Sequence, residues 1–358
     1  MPPAPPRLGL DGAALAFAYP PGVARVAREL LPRLEARGHV PLVPAADEPE
    51  RRWRHRELPR LERALGLDGL LSLTSAFPLL GRGLRVQTVH ELPWRHRVAE
   101  NAGRGHRLWA RHGRRRADLV LVPSHRVLAD LADEAPAAAR EARVLPWGVG
   151  PPFTDDPAAR TDEDRARLAA LDLAPGAPFV LVPGGARAKK RPDLVLQAVA
   201  PLEGVAVVVT GPVGGGLDEL LRLARTLGCP ERLRLTGPVE DATLAALDRA
   251  ALAVCVLSDS EGFGLGALEG LATGAPVLVP PGSAQAEVLG GPGVGAEHLT
   301  VVPPGDPAAV HGVLAGLLET RGTPADEALR AGRREAAAAR SWDRTADALQ
   351  DLLATLSR

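Results

Sequence analysis

SDSEGFGLGALEGLATGAPVLVP, residues 258–280, follows directly on the apolar run Leu252–Leu257 and closes in a second one, Pro276–Val279. Runs this short and this apolar read as strands buried on both faces. Between them the spacing predicts a helix whose first turn is Gly264-Leu265-Gly266. Strand, helix, strand is the unit from which parallel sheets are built. The turn into the helix is where chemistry can gather, because amides at a helix start lack partners within the helix and suit an anion or sugar hydroxyls. Glu261 stands at the strand end and Glu269 lies eight residues on, about two helical turns, so both carboxylates can face one crevice. A carboxylate offers only acceptors, which suits vicinal hydroxyl pairs; one could hold a hexose and the other a ribose. The plain alternative is a solvated glutamate and an ordinary helix glutamate.

The same alternation runs outward from this stretch in both directions. Strands are predicted at Phe179–Val182, Val205–Thr210, Leu233–Thr236, Leu252–Leu257, Pro276–Val279 and Leu299–Val302, with helices between them including Leu217–Leu227 and Thr243–Ala250. An earlier set comprises Arg7–Asp11, Val40–Val43, Gly69–Leu73, Leu84–Val89, Leu119–Val122 and Ala142–Leu145, with a helix at Val23–Arg37 stopped by Gly38. GPPFTDDPAART, after Val149, has turn chemistry and reads as a linker. The tail from Ala325 to Ser357 is helical in pattern. At 358 residues the chain is longer than one core usually grows. The expected organisation is α/β: two doubly wound domains facing a central cleft, spanning 1–152 and 153–340, with a C-terminal helix, 341–358, crossing back to the first. Ligand sites in such sheets lie at the carboxyl ends of the strands.

Composition narrows the classes. Hydrophobic residues make up 46% of the chain and charged residues 24%, the balance of an ordinary globular protein. No apolar stretch is long enough to span a bilayer, the N-terminus lacks a signal-peptide pattern, and Cys229 and Cys255 have no metal-ligand spacing. A reduced, cytoplasmic setting is expected. The net charge is zero but divided: residues 1–153 carry 24 Arg against 16 Asp and Glu, or +8, and the remainder carries −8. That asymmetry points to an anionic partner on the N-terminal side. Of 43 basic residues only two are lysines, adjacent at Lys189 and Lys190, where a compact ammonium is needed rather than a planar fork.

Those lysines belong to FVLVPGGARAKKRPDLVLQAV, residues 179–199: a strand, a Gly-Gly turn at Gly184, the cations Arg187, Lys189, Lys190 and Arg191, then a helix. Cations at the carboxyl end of a parallel strand can neutralise a diphosphate, and they run against the helix dipole if they are only decoration. In RVQTVHELPWRHR, residues 85–97, His90 follows an apolar strand; such a histidine is either structural or faces the cleft. His96 and His106 read as surface residues. YPPGVARVARELL, residues 19–31, turns into a helix at Gly22 and Val23.

In this order the pieces resemble the retaining glycosyltransferases of family 4, of GT-B fold, over nearly the whole chain. EGFGLGALE resembles the family's glutamate-x7-glutamate signature, GGARAKKRPDLVLQAV its strand-to-helix lysine segment, TVHELPW its TxHD segment, ADLVLVPS and VLPWGV two further segments, and RSWDRTADALQDLL its closing helix. The resemblance implies two Rossmann-like domains and transfer of a sugar from a nucleoside-diphosphate donor with retention of configuration. It implies that Glu269 binds the ribose, and that Glu261 sits by the donor sugar with the amides of Gly262, Phe263, Gly264 and Leu265. It further implies that Lys190 grips the diphosphate, that His90 lies beside the transferred sugar, and that Gly22 and Val23 approach the phosphates. Five departures stand out: Gly185 replaces an arginine, so Arg187 or Lys189 must compensate, Gly266 replaces a proline, Glu91 an aspartate, Pro21 a glycine, and Trp147 an asparagine.

No Asp-x-Asp pair stands at a strand end, so no essential divalent metal or other cofactor is expected. The partners implied are the nucleotide sugar and a sugar, glycan or lipid-linked acceptor of the cell envelope, with no nucleic acid. Arg104, Arg107, Arg111, Arg114 and Arg115 recur at helical spacing around Trp109, which suggests peripheral contact with an anionic membrane or simply a solvated basic helix. Two other functions share this pattern: a catalytically inactive nucleotide-sugar-binding scaffold, and a non-hydrolysing nucleotide-sugar epimerase.

Overall fold

The computed structural model describes residues 5–79, 81, 83–96, 98, 103–112, 116–290 and 295–356. The chain divides into two compact units, Met1–Gly148 with Arg340–Arg358, and Val149–Ala339. Each holds one six-stranded, wholly parallel sheet. The first contains β1 (Leu8–Asp11), β2 (Val40–Leu42), β3 (Gly69–Ser72), β4 (Leu84–Thr88), β5 (Leu119–Val122) and β6 (Ala142–Val144), in the order β2-β1-β3-β4-β5-β6. The second contains β7 (Phe179–Pro183), β8 (Ala206–Thr210), β9 (Leu233–Gly237), β10 (Ala253–Cys255), β11 (Val277–Val279) and β12 (Thr300–Val301), in the order β12-β11-β10-β7-β8-β9. All twelve lie within a residue or two of the strands read from the sequence.

The strand orders fix where a ligand can sit. Each sheet is wound first to one side and then to the other, and the chain direction switches between β1 and β3 in the first and between β7 and β10 in the second. At a switch point the neighbouring crossovers leave in opposite directions, which opens a crevice beyond the strand ends. Val180, Val182, Val207, Val209, Ala253 and Cys255 are all at most 2% exposed and form the core of the second unit with Leu194, Val195 and Leu196 from the helix Pro192–Val199. Strands covered on both faces have no solvent side, which is why their sequences show no alternation.

Several local expectations are corrected. The segment read as a linker turns at Thr154–Asp155 but is helical from Pro157, because Asp156 caps the helix Pro157–Ala169 by accepting from the Ala158 amide at 3.0 Å. The tail is two helices, Pro324–Ala338 and Trp342–Ala354; Ser341 starts the second by accepting from the Arg344 amide. The second packs within the first unit: Thr345 Oγ1 donates to the Pro146 carbonyl, and the Gln350 side chain meets His39 Nε2 at 2.8 Å. The helix expected at Val23 begins at Pro21, whose fixed φ suits the first helical position. Among the described residues no helix is long and apolar enough to cross a membrane.

Candidate functional site

The cations and the glutamate signature converge at the β7/β10 switch point. After β7 the chain turns through Gly184 and Gly185, both at φ near +98° to +99°. Gly185 admits nothing larger, since a Cβ there would lie 2.1 Å from the Pro212 carbonyl oxygen. The turn as it stands therefore has no room for the arginine that the family resemblance implies at this position. Arg187, two residues on, folds back so that its Nε donates to the Gly184 carbonyl at 2.8 Å.

Lys189 and Lys190 occupy a separate 3-10 turn, Ala188–Lys190, ahead of the helix Pro192–Val199. The helix dipole is not opposed at its first turn, which holds Pro192 and Asp193; Arg191 precedes it in a left-handed conformation, φ 56°, paired with Asp193 and Asp259. The Lys190 stem lies over Gly184, where any side chain would take its place, and its Nζ is hydrogen-bonded to Glu261 Oε1. Ser258 Oγ donates to the same oxygen at 2.8 Å. The Asp259 amide donates to the Lys189 carbonyl at 3.0 Å, so the turn after β7 and the loop after β10 are stitched by backbone as well as by charge.

Glu261 is therefore a half-buried, paired carboxylate. Burial alone would raise its pKa; the ammoniums of Lys190 and Lys189, with the bonds from Lys190 and Ser258, outweigh burial and hold it below the ordinary carboxylate value. Beyond it Gly262 and Phe263 are buried, and Gly264, φ 95°, caps the helix Leu265–Thr273 without a side-chain cap. The helix thus opens one residue later than its glycine pattern suggests, because Gly264 stands in the left-handed region. The first amides bonded back toward it are those of Ala267 and Leu268, on the Gly264 carbonyl. Glu269 is 6% exposed, in the middle of this helix. The signature is thus one paired glutamate in a loop and one buried glutamate in a helix, neither of them a solvated surface residue.

In the first unit His90 follows β4. Its Nε2 lies 2.8 Å from the Leu73 carbonyl oxygen, which can only accept, so Nε2 carries the proton. Burial pushes the His90 pKa down, and His106 adds to this against the opposing Leu73 bond and Glu91 charge; the ring is neutral, with Nδ1 left as an acceptor. Trp147 packs on it, ring centroids 5.7 Å apart. Gly22 is exposed and Val23 half-buried in the first turn of the helix Pro21–Glu35, where the Val23 amide already donates to the Pro20 carbonyl. His96 and His106 are not simple surface residues: His96 meets Asp130 at 2.6 Å, and His106 sits edge-on to Trp94. Arg114 and Arg115, with the side chains of Arg104 and Arg111, lie outside the described residues.

Sequence reasoning missed three participants. Ser258 stood in the quoted signature without a role, and a hydroxyl three residues before a glutamate is too common to signal a contact. The Pro212 carbonyl and Gln285 come from other loops and are brought in only by the sheet order. No group of three or more His, Cys, Asp or Glu that could hold a metal occurs among the described residues.

Comparison with known proteins bears on the family and the fold. Residues 165–336, all within the second unit, match the family described as Glycosyl transferases group 1. A D-inositol 3-phosphate glycosyltransferase of Mycolicibacterium paratuberculosis is 40% identical over 208 residues, 55% of this chain and 45% of that one. One from Mycobacterium bovis is 43% identical over 131 residues, 36% of this chain and 27% of that one. The matches thus span less than half the length of these curated relatives. Among solved structures, HepE of Anabaena in complex with UDP and glucose superposes with a TM-score of 0.74 at 15% identity, covering 98% of this chain and 100% of that one. Sucrose-phosphate synthase of Thermosynechococcus elongatus gives 0.75 at 19% identity, covering 98% and 99%. Residues 165–336 thus resemble a glycosyltransferase group 1 domain, and the two Rossmann-like sheets are those of the GT-B fold.

Proposed function

We propose that this protein transfers a sugar from a nucleoside-diphosphate donor to an acceptor hydroxyl with retention of anomeric configuration. The observation that carries the reading is the Lys190–Glu261 pair at the β7/β10 switch point, beside a helix start that has no side-chain cap. An ammonium held by a carboxylate is poised to exchange part of that contact for a diphosphate, while the carboxylate turns to hydroxyls of the sugar. The complexes of HepE with UDP and with UDP-glucose support this donor chemistry for a chain of the same fold.

On this reading Glu269 takes the ribose hydroxyls, Lys190 with Lys189 and Arg187 balances the diphosphate, and the turn from Gly262 to Leu265 receives the sugar. The family resemblance assigns Gly22 and Val23 to the phosphates as well. His90, neutral and with Nδ1 as an acceptor, takes a donor-sugar hydroxyl. The bond from the anomeric carbon to the diphosphate breaks and one to the acceptor oxygen forms on the same face. The acceptor's proton passes to the leaving diphosphate. The protein contributes position and fixed charge rather than a covalent nucleophile, and no divalent metal is required, since the lysines and Arg187 carry the counter-charge.

The test is incubation with a panel of nucleotide sugars, alone and with polyol and polyol-phosphate acceptors including inositol 3-phosphate, analysed by NMR. The expected product is a glycoside with the donor's anomeric configuration, formed equally in EDTA. An inverted product, or sugar interconversion with donor alone, would refute the reading, and no donor consumption across the panel would leave only a binding scaffold.

A further inference from the structure

We infer that Gln285 is a positioning residue for the turn Glu261–Leu265, fixing where that turn meets the donor; the inference rests on the reading of this turn as the donor-sugar site. Gln285 lies in the first turn of the helix Ala284–Leu289 and is 0% exposed. Its Nε2 donates to the Val256 carbonyl, just past β10, at 3.3 Å. Its stem packs on Gly264: a Cβ built there would lie 2.7 Å from Gln285 Cγ and 3.1 Å from its Cα. One side chain thus touches both ends of the loop that carries Ser258 and Glu261.

The chemistry of that side chain is wrong for simple packing. Opposite a carbonyl the amide can only present its nitrogen, so the assignment of Nε2 and Oε1 is forced. Oε1 is then buried with no hydrogen-bond partner. A buried acceptor left unpaired costs stability, and a methionine or leucine would fill the space without that cost. A polar group kept at such a place is explained by what it holds. Here the amide ties the stem to the Val256 carbonyl, and the tied stem packs on the left-handed turn at Gly264, which has no side-chain cap of its own, while Oε1 remains as a buried acceptor beside it. Displacement of the turn by a fraction of an ångström would shift every amide that meets the sugar, while the ribose contact at Glu269, one helical turn and more away, would stay in place.

The experiment is calorimetry and donor consumption on Gln285→Met, with Gln285→Leu as a second apolar variant should the first fail to fold. The probes are UDP, GDP and ADP and their glucosyl esters, using whichever nucleotide binds wild type most tightly. Gln285→Met is expected to melt at or above the wild-type temperature and to bind the bare nucleoside diphosphate as wild type does. It should also lose the extra affinity that the sugar confers and consume donor at least about tenfold more slowly, through kcat. Wild-type donor consumption would overturn the inference. So would parallel loss of melting temperature, nucleotide affinity and sugar affinity, which marks a merely structural residue. Glu269→Ala separates the two levels. If it weakens nucleotide binding while Gln285→Met behaves as wild type, this inference falls and the donor reading stands; if no nucleotide binds wild type, both fall.

Discussion

In the first unit the sheet reverses its winding between β1 and β3, and the strand exits there carry Asp11 and Ser72. In the second it reverses between β7 and β10, and the exits lead to Lys190 and Glu261. Both places hold a carboxylate withdrawn from water, Asp11 fully and Glu261 in part, yet their surroundings push the two pKa values in opposite directions. Asp11 accepts from Trp53 Nε1 at 2.9 Å, the Ala13 amide at 3.1 Å and Ser72 Oγ at 3.3 Å, all neutral donors. Burial raises its pKa, and these bonds and the Arg54 charge do not overcome it. Arg54 is itself bonded to Glu50. Glu261 also loses hydration, but two ammoniums reverse the effect. A switch point supplies a crevice and says nothing about what fills it: the first is closed by a hydrogen-bonded knot, whereas the second is held by charges that a ligand can share.

The largest effect expected from breaking this contrast comes from Lys190→Ala. It should raise the barrier to transfer by on the order of 2–4 kcal/mol, because the leaving diphosphate loses its ammonium. Steady-state kinetics on the folded variant checks this. Next comes Glu261→Gln, which removes the carboxylate paired with the half-buried Lys190. A loss of about 1–3 kcal/mol in denaturant unfolding at neutral pH is expected. Asp11→Asn should do the reverse. The amide keeps an acceptor for Trp53 and Ala13 and offers a donor to Ser72, so the variant is expected to equal or exceed wild type at neutral pH.

The pH dependence sharpens the same comparison. Glu261 is depressed from an ordinary value of 4.5, so its stabilisation is present above that value and lost as pH falls through the lower, folded pKa. Asp11 is raised from 3.8, so the protonated folded form is favoured in acid and stability is lost as pH rises from 3.8 through the higher, folded pKa. Melting temperatures measured against wild type should therefore diverge in opposite senses on leaving acid: Asp11→Asn gains relative to wild type as pH rises, and Glu261→Gln falls behind. Parallel curves would show that the two carboxylates share one environment. The smallest effect is reserved for Arg191→Gly. Relief of the left-handed backbone should offset the lost pairs with Asp193 and Asp259, leaving stability within about 1 kcal/mol and turnover unchanged.

Much of this was legible in the sequence, for identifiable reasons. Runs such as Phe179–Val182 can only be strands buried on both faces, and the paired lysines of an arginine-rich chain marked their own place. The helix start at Leu265 was off by one because Gly264 looks the same to a hydrophobic pattern whether it is helical or left-handed. The linker became a helix at Pro157 because a cap, Asp156, outweighs local turn propensity. What no local pattern could reveal is who meets whom across the sheet. The order β10-β7 brings Glu261 to Lys190, 71 residues away in sequence, and the Pro212 carbonyl leaves Gly185 no room for a side chain.

Titration calorimetry of the best-bound nucleoside diphosphate against wild type and Lys190→Ala tests the central claim most directly, namely that the β7/β10 switch point is an anion-ready donor site. Wild type should bind, Lys190→Ala should bind at least about tenfold more weakly while remaining folded, and Arg191→Gly should match wild type. Equal affinity in wild type and folded Lys190→Ala would contradict the account.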